Sequence, residues 1–583
     1  MKRLALVIAL CLSIVPALVS QPATISKAVS PTVSDWVHDI DEVSADIRLI
    51  HPDPFTQTGK LVFLRSIERL KEDVPKLTEE QRVVRLMQVV ASLRDGHTQL
   101  EADNPRFAYW YPIRILDFPE GYFVTAARVD NADLSGAQVL EIGGKPVGEV
   151  MAAARSLMAA ENSLDARVRL YPVHNSGLMR GLGYTDSAGK LKVRFKLRNG
   201  KTVDRIITPS RTNGKAYKID DATYEWTYMP EMYGPPIGAR GDWLSAYKGL
   251  PAVAFETSDT SRPAFLTETL PLSARPMPER DAYYVRCNYL SDTDFPEFIH
   301  RVMLQVDSLK PRRLIIDLRF NFGGDGSKVR QAIQEFVTRA PSPPWKELYL
   351  LTGRRTFSAA VMLVAAFLND TEVSVVGEPA GAPLNSFGDA DARSLTRTGL
   401  VLYVSTRRNQ LSSSDDLGEY TRVDIPAPIS FSDYVAGRDP AVDAILRGDE
   451  MRSIPIILST DGANAARRAY ESRTPRFTKY SWWRPPSEIE LRSVCQSEIS
   501  EKRSEALDAC QLNTEVHPDD WHVWYNLAQA QRAAALNNER LESYRCVLAI
   551  DPDNFNGESI RQLLAAHPEA VKLPARCPAA DAR

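Results

Sequence analysis

The chain has 583 residues and a formal net charge of −3. That length exceeds what one hydrophobic core usually serves, so we expect several domains. The nearly balanced charge, with no basic stretch interleaved with aromatic residues, gives no support for nucleic-acid binding. The apolar and charged fractions are ordinary for a globular protein.

The first residues predict an export signal. Two basic residues precede the apolar run LALVIALCLSIVPALV, and the small residues Ser20 and Ala23 follow it. This pattern is typical of a secretory signal peptide, here assigned to 1–23. A membrane anchor fits less well, because the run is short and Pro16 interrupts it. We therefore expect an exported mature chain, periplasmic or secreted, without a membrane span.

Helical and then strand patterns occupy the first half of the chain. Apolar residues recur at three- and four-residue spacing in the region 34–105, which predicts an N-terminal helical domain. In 106–160, a strand, a Gly-Gly turn, a strand and a helix (AQVLEIGGKPVGEVMAAARSLM) resemble the end of a PDZ-like module. In 186–208 polar and apolar residues alternate on either side of Asn199-Gly200, which predicts a hairpin, and 210–280 is rich in turn formers. The region 161–280 is therefore expected to be irregular and β-rich.

Strands and helices alternate in the region 281–450. Continuous apolar runs such as RRLIIDL predict buried strands, while FPEFIHRVMLQVDSL predicts an amphipathic helix and SAAVMLVAAFLN a buried one. This alternation predicts an α/β core, in which helices cover a sheet.

The C-terminal part is expected to be helical. A proline-rich linker at 451–488 precedes 489–570, where His517-Pro518-Asp519-Asp520 returns as Asp551-Pro552-Asp553-Asn554 with a period of 34 residues. That period is typical of tetratricopeptide repeats, which bind protein partners, although an ordinary helical hairpin stays an alternative. One full repeat is too few for independent stability, so we expect it to dock on the body or to be held by disulfides.

Cysteines cluster in the same C-terminal part. Of the six, Cys11 lies in the signal, and the local pairings among the rest are Cys495 with Cys510 and Cys546 with Cys577. An exported location permits these disulfides. None of the cysteines has the CxxC spacing of a zinc site, so no metal or other cofactor is expected.

Three segments carry the chemistry. Ser358 opens the buried helix after a strand and a glycine-containing turn, where free N–H groups and the helix dipole favour a developing negative charge. Taken alone, such a serine is more often a helix N-cap. A second strand ends in Gly323-Gly324, whose N–H groups can be open to an oxyanion or can simply make a tight turn.

A serine nucleophile needs a base. The next lysine after Ser358 is Lys479, far beyond the α/β region, so a downstream lysine is a poor candidate. Among the eight histidines, His97 stands out in RDGHT at the end of the N-terminal helices. Arginines near the motifs, Arg319 among them, are weaker candidates for pairing with the terminal carboxylate of a peptide.

The order of these motifs resembles the tail-specific and tricorn-like serine peptidase superfamily. A DGHT-type histidine, LIIDLRFNFGG and TFSA follow one another here, over 35–160 and 281–447. The resemblance implies a ClpP/crotonase-like core and a peptide or protein substrate. The superfamily also contains a retinoid-binding protein without peptidase activity, so a non-catalytic binding protein on the same fold remains an alternative. A repeat-based scaffold for protein partners is a further alternative.

Residue roles follow from the resemblance. It implies that Ser358 is the nucleophile, that His97 is the general base, and that an oxyanion hole forms at Gly323, Gly324 and the Ala359 N–H. It further implies an acid partner, for which Glu419 is the choice and Asp415 and Asp416 are competitors. The family's serine before the histidine is missing, because Gly96 stands there. That departure favours a Ser–His pair with an acid over a tetrad.

Overall fold

The computed structural model describes residues 30–102, 107–211, 243–246, 272–290, 294–501, 506–568 and 573–578. Within these ranges the protein is a mixed α/β structure, with helices at its N-terminal end, several β-sheets and a helical C-terminal region. The expected signal at 1–23 lies outside the described residues. Among the described helices, none is both long enough and apolar enough to span a bilayer.

Three helices form the N-terminal layer: α1 (Val33–Ile50), α2 (Lys60–Asp73) and α3 (Glu79–Ala91). Thr32 and Thr78 start α1 and α3 with capping boxes, in which side chains and backbone N–H groups satisfy each other. The apolar faces of the three helices share one buried core. The chain leaves α3 through the loop that carries His97.

An antiparallel sheet of seven strands follows. Its members are β3 (Ile113–Phe118), β4 (Gly121–Arg128), β5 (Gln138–Ile142), β6 (Lys145–Pro146), β7 (Leu191–Lys196), β8 (Thr202–Ile207) and β10 (Trp243–Ser245). A separate pair joins β2 (Tyr109–Trp110) to β9 (Ser210–Arg211), and α4 (Val147–Arg155) follows β6. The sheet passes the boundary expected at residue 160, because the alternating apolar residues of β7 pair with β5 and are buried there.

The segment expected to be irregular and β-rich begins instead with three short helices. They are α5 (Ser163–Val168), α6 (Tyr171–His174) and α7 (Ser176–Gly181). Asn162 and Asn175 act as N-caps, and each side-chain oxygen accepts two backbone N–H groups. These two caps start helices that the sequence analysis did not predict. Much of the rest of 161–280 lies outside the described residues.

A six-stranded sheet forms the α/β core. In sheet order its strands are β11 (Leu272–Met277), β12 (Ala282–Cys287), β13 (Arg313–Asp317), β14 (Glu347–Thr352), β15 (Ser374–Gly377) and β18 (Ile425–Pro426). All neighbours from β12 onwards are parallel, and only β11 runs antiparallel at the edge. Three helices connect the parallel strands: α8 (Phe295–Leu309), α9 (Val329–Val337) and α10 (Ala359–Asp370). Ligands of open parallel sheets bind beyond the carboxyl ends of the strands, where Ser358 also lies.

A long hairpin joins this core to the N-terminal layer. Its strands, β16 (Asn385–Ser394) and β17 (Val401–Gln410), leave the core after β15, and β17 pairs with β1 (Gln99–Glu101). Because β1 directly follows the His97 loop, this pairing fixes the loop against the core. The fold thus brings two distant parts of the sequence to one edge of the parallel sheet.

The C-terminal part continues with helices. They are α11 (Phe431–Ala436), α12 (Pro440–Arg447), α13 (Ile454–Asp461), α14 (Ala463–Phe477), α15 (Glu488–Ser500), α16 (Ala506–Val516), α17 (Trp521–Ala533), α18 (Asn537–Ile550) and α19 (Gly557–Ala565). The linker expected at 451–488 therefore contains α13 and α14, whose apolar residues pack with the helices that follow. The prolines had suggested a linker, but Pro455 lies in the first turn of α13, where helices accept proline, and Pro475 lies near the end of α14.

Two disulfides hold the last helices. Cys495 is bonded to Cys510 and Cys546 to Cys577, which confirms both of the local pairings suggested by the sequence. The first bond links α15 to α16, and the second links α18 to the segment after α19. Cys287 is a free, buried cysteine in the α/β core.

Candidate active site

Ser358 lies in the turn between β14 and α10. Its backbone has φ 55° and ψ −129°, a conformation that is strained for a residue with a side chain. Although Ser358 occupies the N-cap position of α10, its side chain makes no capping hydrogen bond. The ordinary capping role considered for this serine therefore does not apply, and its hydroxyl has a different partner.

Hydrogen bonds from both neighbouring strands hold this turn in place. Thr356 Oγ1 donates to the Leu318 carbonyl at 2.8 Å, beyond the end of β13. The Phe357 N–H donates to the Asn321 carbonyl at 2.9 Å, and the Gly381 N–H donates to the Thr356 carbonyl at 2.8 Å. The strain at Ser358 is thus stored in a turn that its surroundings fix on both sides.

His97 is the partner of the Ser358 hydroxyl. Its Nε2 lies 2.9 Å from Ser358 Oγ, although 261 residues separate the two in the sequence. The imidazole stacks on the ring of Phe357, with centroids 4.5 Å apart and an interplanar angle of 24°. The guanidinium of Arg169 lies over the Phe357 ring, with its Cζ 5.0 Å from the ring centroid. The residue next to the serine therefore sets the orientation of the histidine.

The surroundings of His97 favour its neutral form. Burial lowers its pKa to about 4; the Asp95 charge acts in the opposite direction, and the Arg169 charge lowers the pKa further. Near neutral pH the ring is therefore uncharged and can accept a proton through Nε2. Within the described part of the chain, its Nδ1 is buried without a hydrogen-bond partner.

Asp95, two residues before the histidine, is a functional candidate that the sequence reasoning missed. Its carboxylate accepts hydrogen bonds from His51 Nε2 at 2.9 Å, from Thr98 Oγ1 at 2.5 Å and from the His97 N–H at 3.0 Å. Burial would raise its pKa, but the hydrogen bonds from His51 and Thr98 outweigh it and hold the pKa below the usual range. Asp95 is thus a fixed negative charge beneath the His97 loop. The sequence signal for Asp95 was its place in RDGHT, two residues before His97.

The Gly-Gly turn lies next to Ser358. Gly323 (φ +121°) lies so near that a Cβ there would be 2.7 Å from Ser358 Cβ, and at Gly324 (φ +125°) a Cβ would be 2.0 Å from the Leu290 carbonyl oxygen. The Gly323 N–H already donates to Asn321 Oδ1 at 2.9 Å. The Ala359 N–H begins α10, so it has no acceptor within the helix. Of the three predicted donors, this leaves Gly324 and Ala359 as candidates for an oxyanion hole.

The predicted acid partners lie elsewhere. Glu419 is exposed, and its Oε1 pairs with Arg94 at 3.2 Å. Asp415 is exposed as well, and Asp416 Oδ1 accepts the Gly418 N–H at 2.9 Å. Among the described hydrogen bonds, none joins these three carboxylates to His97. The structure therefore gives no support to Glu419 in the role that the resemblance implied.

A different carboxyl group lies beside the histidine. Glu161, in the loop before α5, accepts the Gly96 N–H at 2.9 Å through Oε1. One ligand atom from each of Asp95, His97 and Glu161 lies within 4.8 Å of the other two, so these side chains could also surround a cation. Both oxygens of Asp95, however, already accept hydrogen bonds from the protein.

Gly96 has no room for a larger residue. A Cβ at this position would lie 2.8 Å from the ring of Phe357 and 2.8 Å from the Arg169 guanidinium. A serine at this position, which the resemblance would imply, would therefore displace the stack that orients His97. The site is built for a histidine without that serine.

Comparisons with known proteins add likenesses to solved structures. No protein-family model and no curated protein matches the chain. A structure of mature CPAF complexed with lactacystin is 12% identical, with a TM-score of 0.48, and covers 72% of this chain and 99% of its own. The tricorn protease (14%, TM-score 0.32, 71% of this chain and 36% of its own) and the photosystem II D1 C-terminal processing protease (14%, 0.31, 70% and 98%) are similar too. Since every one of these TM-scores is below 0.5, the assignment of function rests on the site itself.

Proposed function

We propose that this protein is a serine peptidase, with Ser358 as its nucleophile and His97 as its general base. The observation that carries the proposal is the 2.9 Å approach of His97 Nε2 to a strained serine hydroxyl that caps no helix. A nucleophile and a base within hydrogen-bond reach, beside free N–H donors, form the arrangement of acyl transfer.

The proposed reaction has two halves. As Ser358 Oγ bonds to the substrate carbonyl carbon, its proton passes to His97 Nε2, and the N–H groups of Gly324 and Ala359 hold the oxyanion. His97 then gives that proton to the leaving amine while the C–N bond breaks. Water attacks the acyl-enzyme and loses a proton to His97, which returns it to Oγ when the Ser358–carbonyl bond breaks.

The finer assignments extend the same proposal. The order of the motifs supports a ClpP/crotonase-like core and either an endopeptidase or a tail-specific peptidase acting on peptides or proteins. The strand, Gly-Gly turn, strand and helix within 106–160 support a PDZ-like module. The period of 34 residues supports a tetratricopeptide-like segment that binds a protein partner. The residues 1–23 support export to the periplasm or the medium.

A fluorophosphonate probe tests the activity directly. Its phosphorus bonds to an activated serine Oγ and releases fluoride, so labelling at Ser358 is expected in the wild-type protein and is lost in Ser358→Ala. Ser430→Ala is the matched control, because Ser430 caps α11 through its side chain and lies outside the site. Labelling of Ser358→Ala at the wild-type rate would sink the assignment. A wild-type protein that resists labelling and leaves casein intact would favour a binding protein instead.

A further inference from the structure

Glu161 is the carboxyl group beside His97 to which the peptidase mechanism gives no role. Resting on the proposed function, we propose that Glu161 is a positioning residue for the Ser358–His97 pair, holding the His97 loop through Gly96 and setting the charge beside the imidazole. The geometry points to it because Glu161 Oε1 accepts the Gly96 N–H at 2.9 Å and lies in one cluster with Asp95 and His97.

The hydrogen bond to Gly96 determines where the imidazole can lie. Gly96 immediately precedes His97, and its Cα is confined between the Phe357 ring and Arg169. With its N–H bound to Glu161 and the His97 N–H bound to Asp95 Oδ1 at 3.0 Å, the backbone on the N-terminal side of the histidine is fixed by two carboxyl groups. Removal of one group leaves the loop held from a single side.

The anchoring of Glu161 itself comes from the next helix. Its own N–H donates to Asp165 Oδ2 at 3.2 Å, and Asn162, the next residue, caps α5. Asp165 also pairs with Arg169 at 2.7 Å, the residue whose guanidinium lies over Phe357. The start of α5 therefore supports the catalytic pair at two points, through the histidine loop and through the aromatic stack.

The two carboxyl groups of the cluster differ in their hydrogen bonding. Asp95 accepts three hydrogen bonds, whereas the carboxyl group of Glu161 accepts the one from Gly96. Neighbouring carboxylates resist double ionisation, so the better-solvated one ionises and the other keeps its proton. Burial raises the pKa of Glu161 well above its usual value, and the charges of Asp95 and Asp165 act in the same direction. The hydrogen bond from Gly96 and the charge of Arg169 lower the pKa of Glu161, but they only partly offset these effects.

This protonation gives Glu161 a signature that an ordinary structural residue lacks. In its neutral form, Glu161 is matched in charge and shape by glutamine. When it ionises at higher pH, it adds a second negative charge near His97, which already experiences the charges of Asp95, Arg169 and Asp389. That added charge favours the imidazolium and makes His97 a stronger base.

The experiment measures fluorophosphonate labelling of Ser358 in the full chain. Glu161→Ala is expected to lower the maximal labelling rate on the order of 10²-fold with an unchanged half-saturating probe concentration, because the base is displaced by about an ångström. Glu161→Gln, which preserves the acceptor for Gly96, is expected to label at least about 10-fold faster than Glu161→Ala. The ratio of wild-type to Glu161→Gln rates is expected to rise with pH. Glu558→Ala is the matched control, since Glu558 is exposed on α19 and pairs with Arg561 at 3.5 Å in the C-terminal region.

Three outcomes would overturn the role of Glu161. They are a Glu161→Ala rate within about 2-fold of wild type, an equal loss in Glu558→Ala, and a ratio of wild-type to Glu161→Gln rates that stays flat between about pH 5 and pH 9. Thermal unfolding of each variant shows whether a lower labelling rate results only from unfolding of the protein. Glu161→Gln provides the folded comparison. If the wild-type protein is not labelled at Ser358, the peptidase proposal fails, whereas normal labelling of Glu161→Ala contradicts only the positioning role.

Discussion

Gly323 and Ser358 approach each other so closely that position 323 cannot carry a side chain: a Cβ there would lie 2.7 Å from the Ser358 Cβ and 3.1 Å from the Ala359 N. Its N–H donates to Asn321 Oδ1 at 2.9 Å. The contribution of Gly323 is thus the space that it leaves for Ser358, which itself holds a strained backbone conformation.

Gly323→Ala is therefore expected to inactivate the protein. The new methyl group pushes Ser358 from His97, and a shift of about an ångström lowers the fluorophosphonate labelling rate on the order of 10²-fold. Gly144→Ala is the matched control: Gly144 also has a positive φ (+77°), but a Cβ there meets nothing within 4 Å. Both variants carry backbone strain, so equal labelling rates in the two would contradict the steric explanation.

The sequence predicted that Ser358 and His97 belong to one site because the signals for each are local. A serine after a strand and before an apolar helix, a Gly-Gly at the end of the neighbouring strand, and a histidine at the end of a helix can each be recognised within a few residues. The pairing of β1, which follows the His97 loop, with β17 brings these segments together, and no short sequence pattern contains that contact.

The acid partner could not be predicted in the same way. Glu419 was chosen by its distance along the chain, but the direction of a loop side chain depends on its neighbours, and Arg94 attracts it. Glu161 lies 65 residues from Gly96, at the start of a region that was expected to be irregular and β-rich. Its place beside His97 results from α5, whose Asn162 cap is a recognisable signal, and from tertiary packing, which is not.

The acid side of the pH–rate profile reports the environment of His97. A base works in its neutral form, so the labelling rate should rise with pH through the His97 pKa of about 4. With that value about nine-tenths of the ring is neutral at pH 5, against about 3% for an ordinary histidine. We expect labelling at pH 5 to proceed at close to the pH 7 rate in wild-type protein that remains folded by circular dichroism. A midpoint near 6.5 would mean that the ring is well hydrated.

Arg319, considered from the sequence as a site for a substrate carboxylate, is occupied by the protein itself. It is buried between Asp317 and Asp439, with Nη2 2.5 Å from Asp317 Oδ2 and 2.7 Å from Asp439 Oδ2. Removing one member of such a buried network leaves charges without partners. Arg319→Met is therefore expected to lower the free energy of unfolding by about 3–5 kcal/mol, measured by urea denaturation.

Arg447→Met is the matched control for this prediction. Arg447 pairs with Asp449 at 2.8 Å on the surface, where both side chains are about half exposed or more, so its loss should cost less than about 1 kcal/mol. If Arg319 served a substrate instead, Arg319→Met would leave stability unchanged and raise the Michaelis constant for peptides that end in a free carboxylate. Asp317 ends β13, just before the Gly-Gly turn, so we expect the loss of Arg319 to weaken the sheet that supports Ser358. Unfolding and the loss of fluorophosphonate labelling should then appear at the same denaturant concentration.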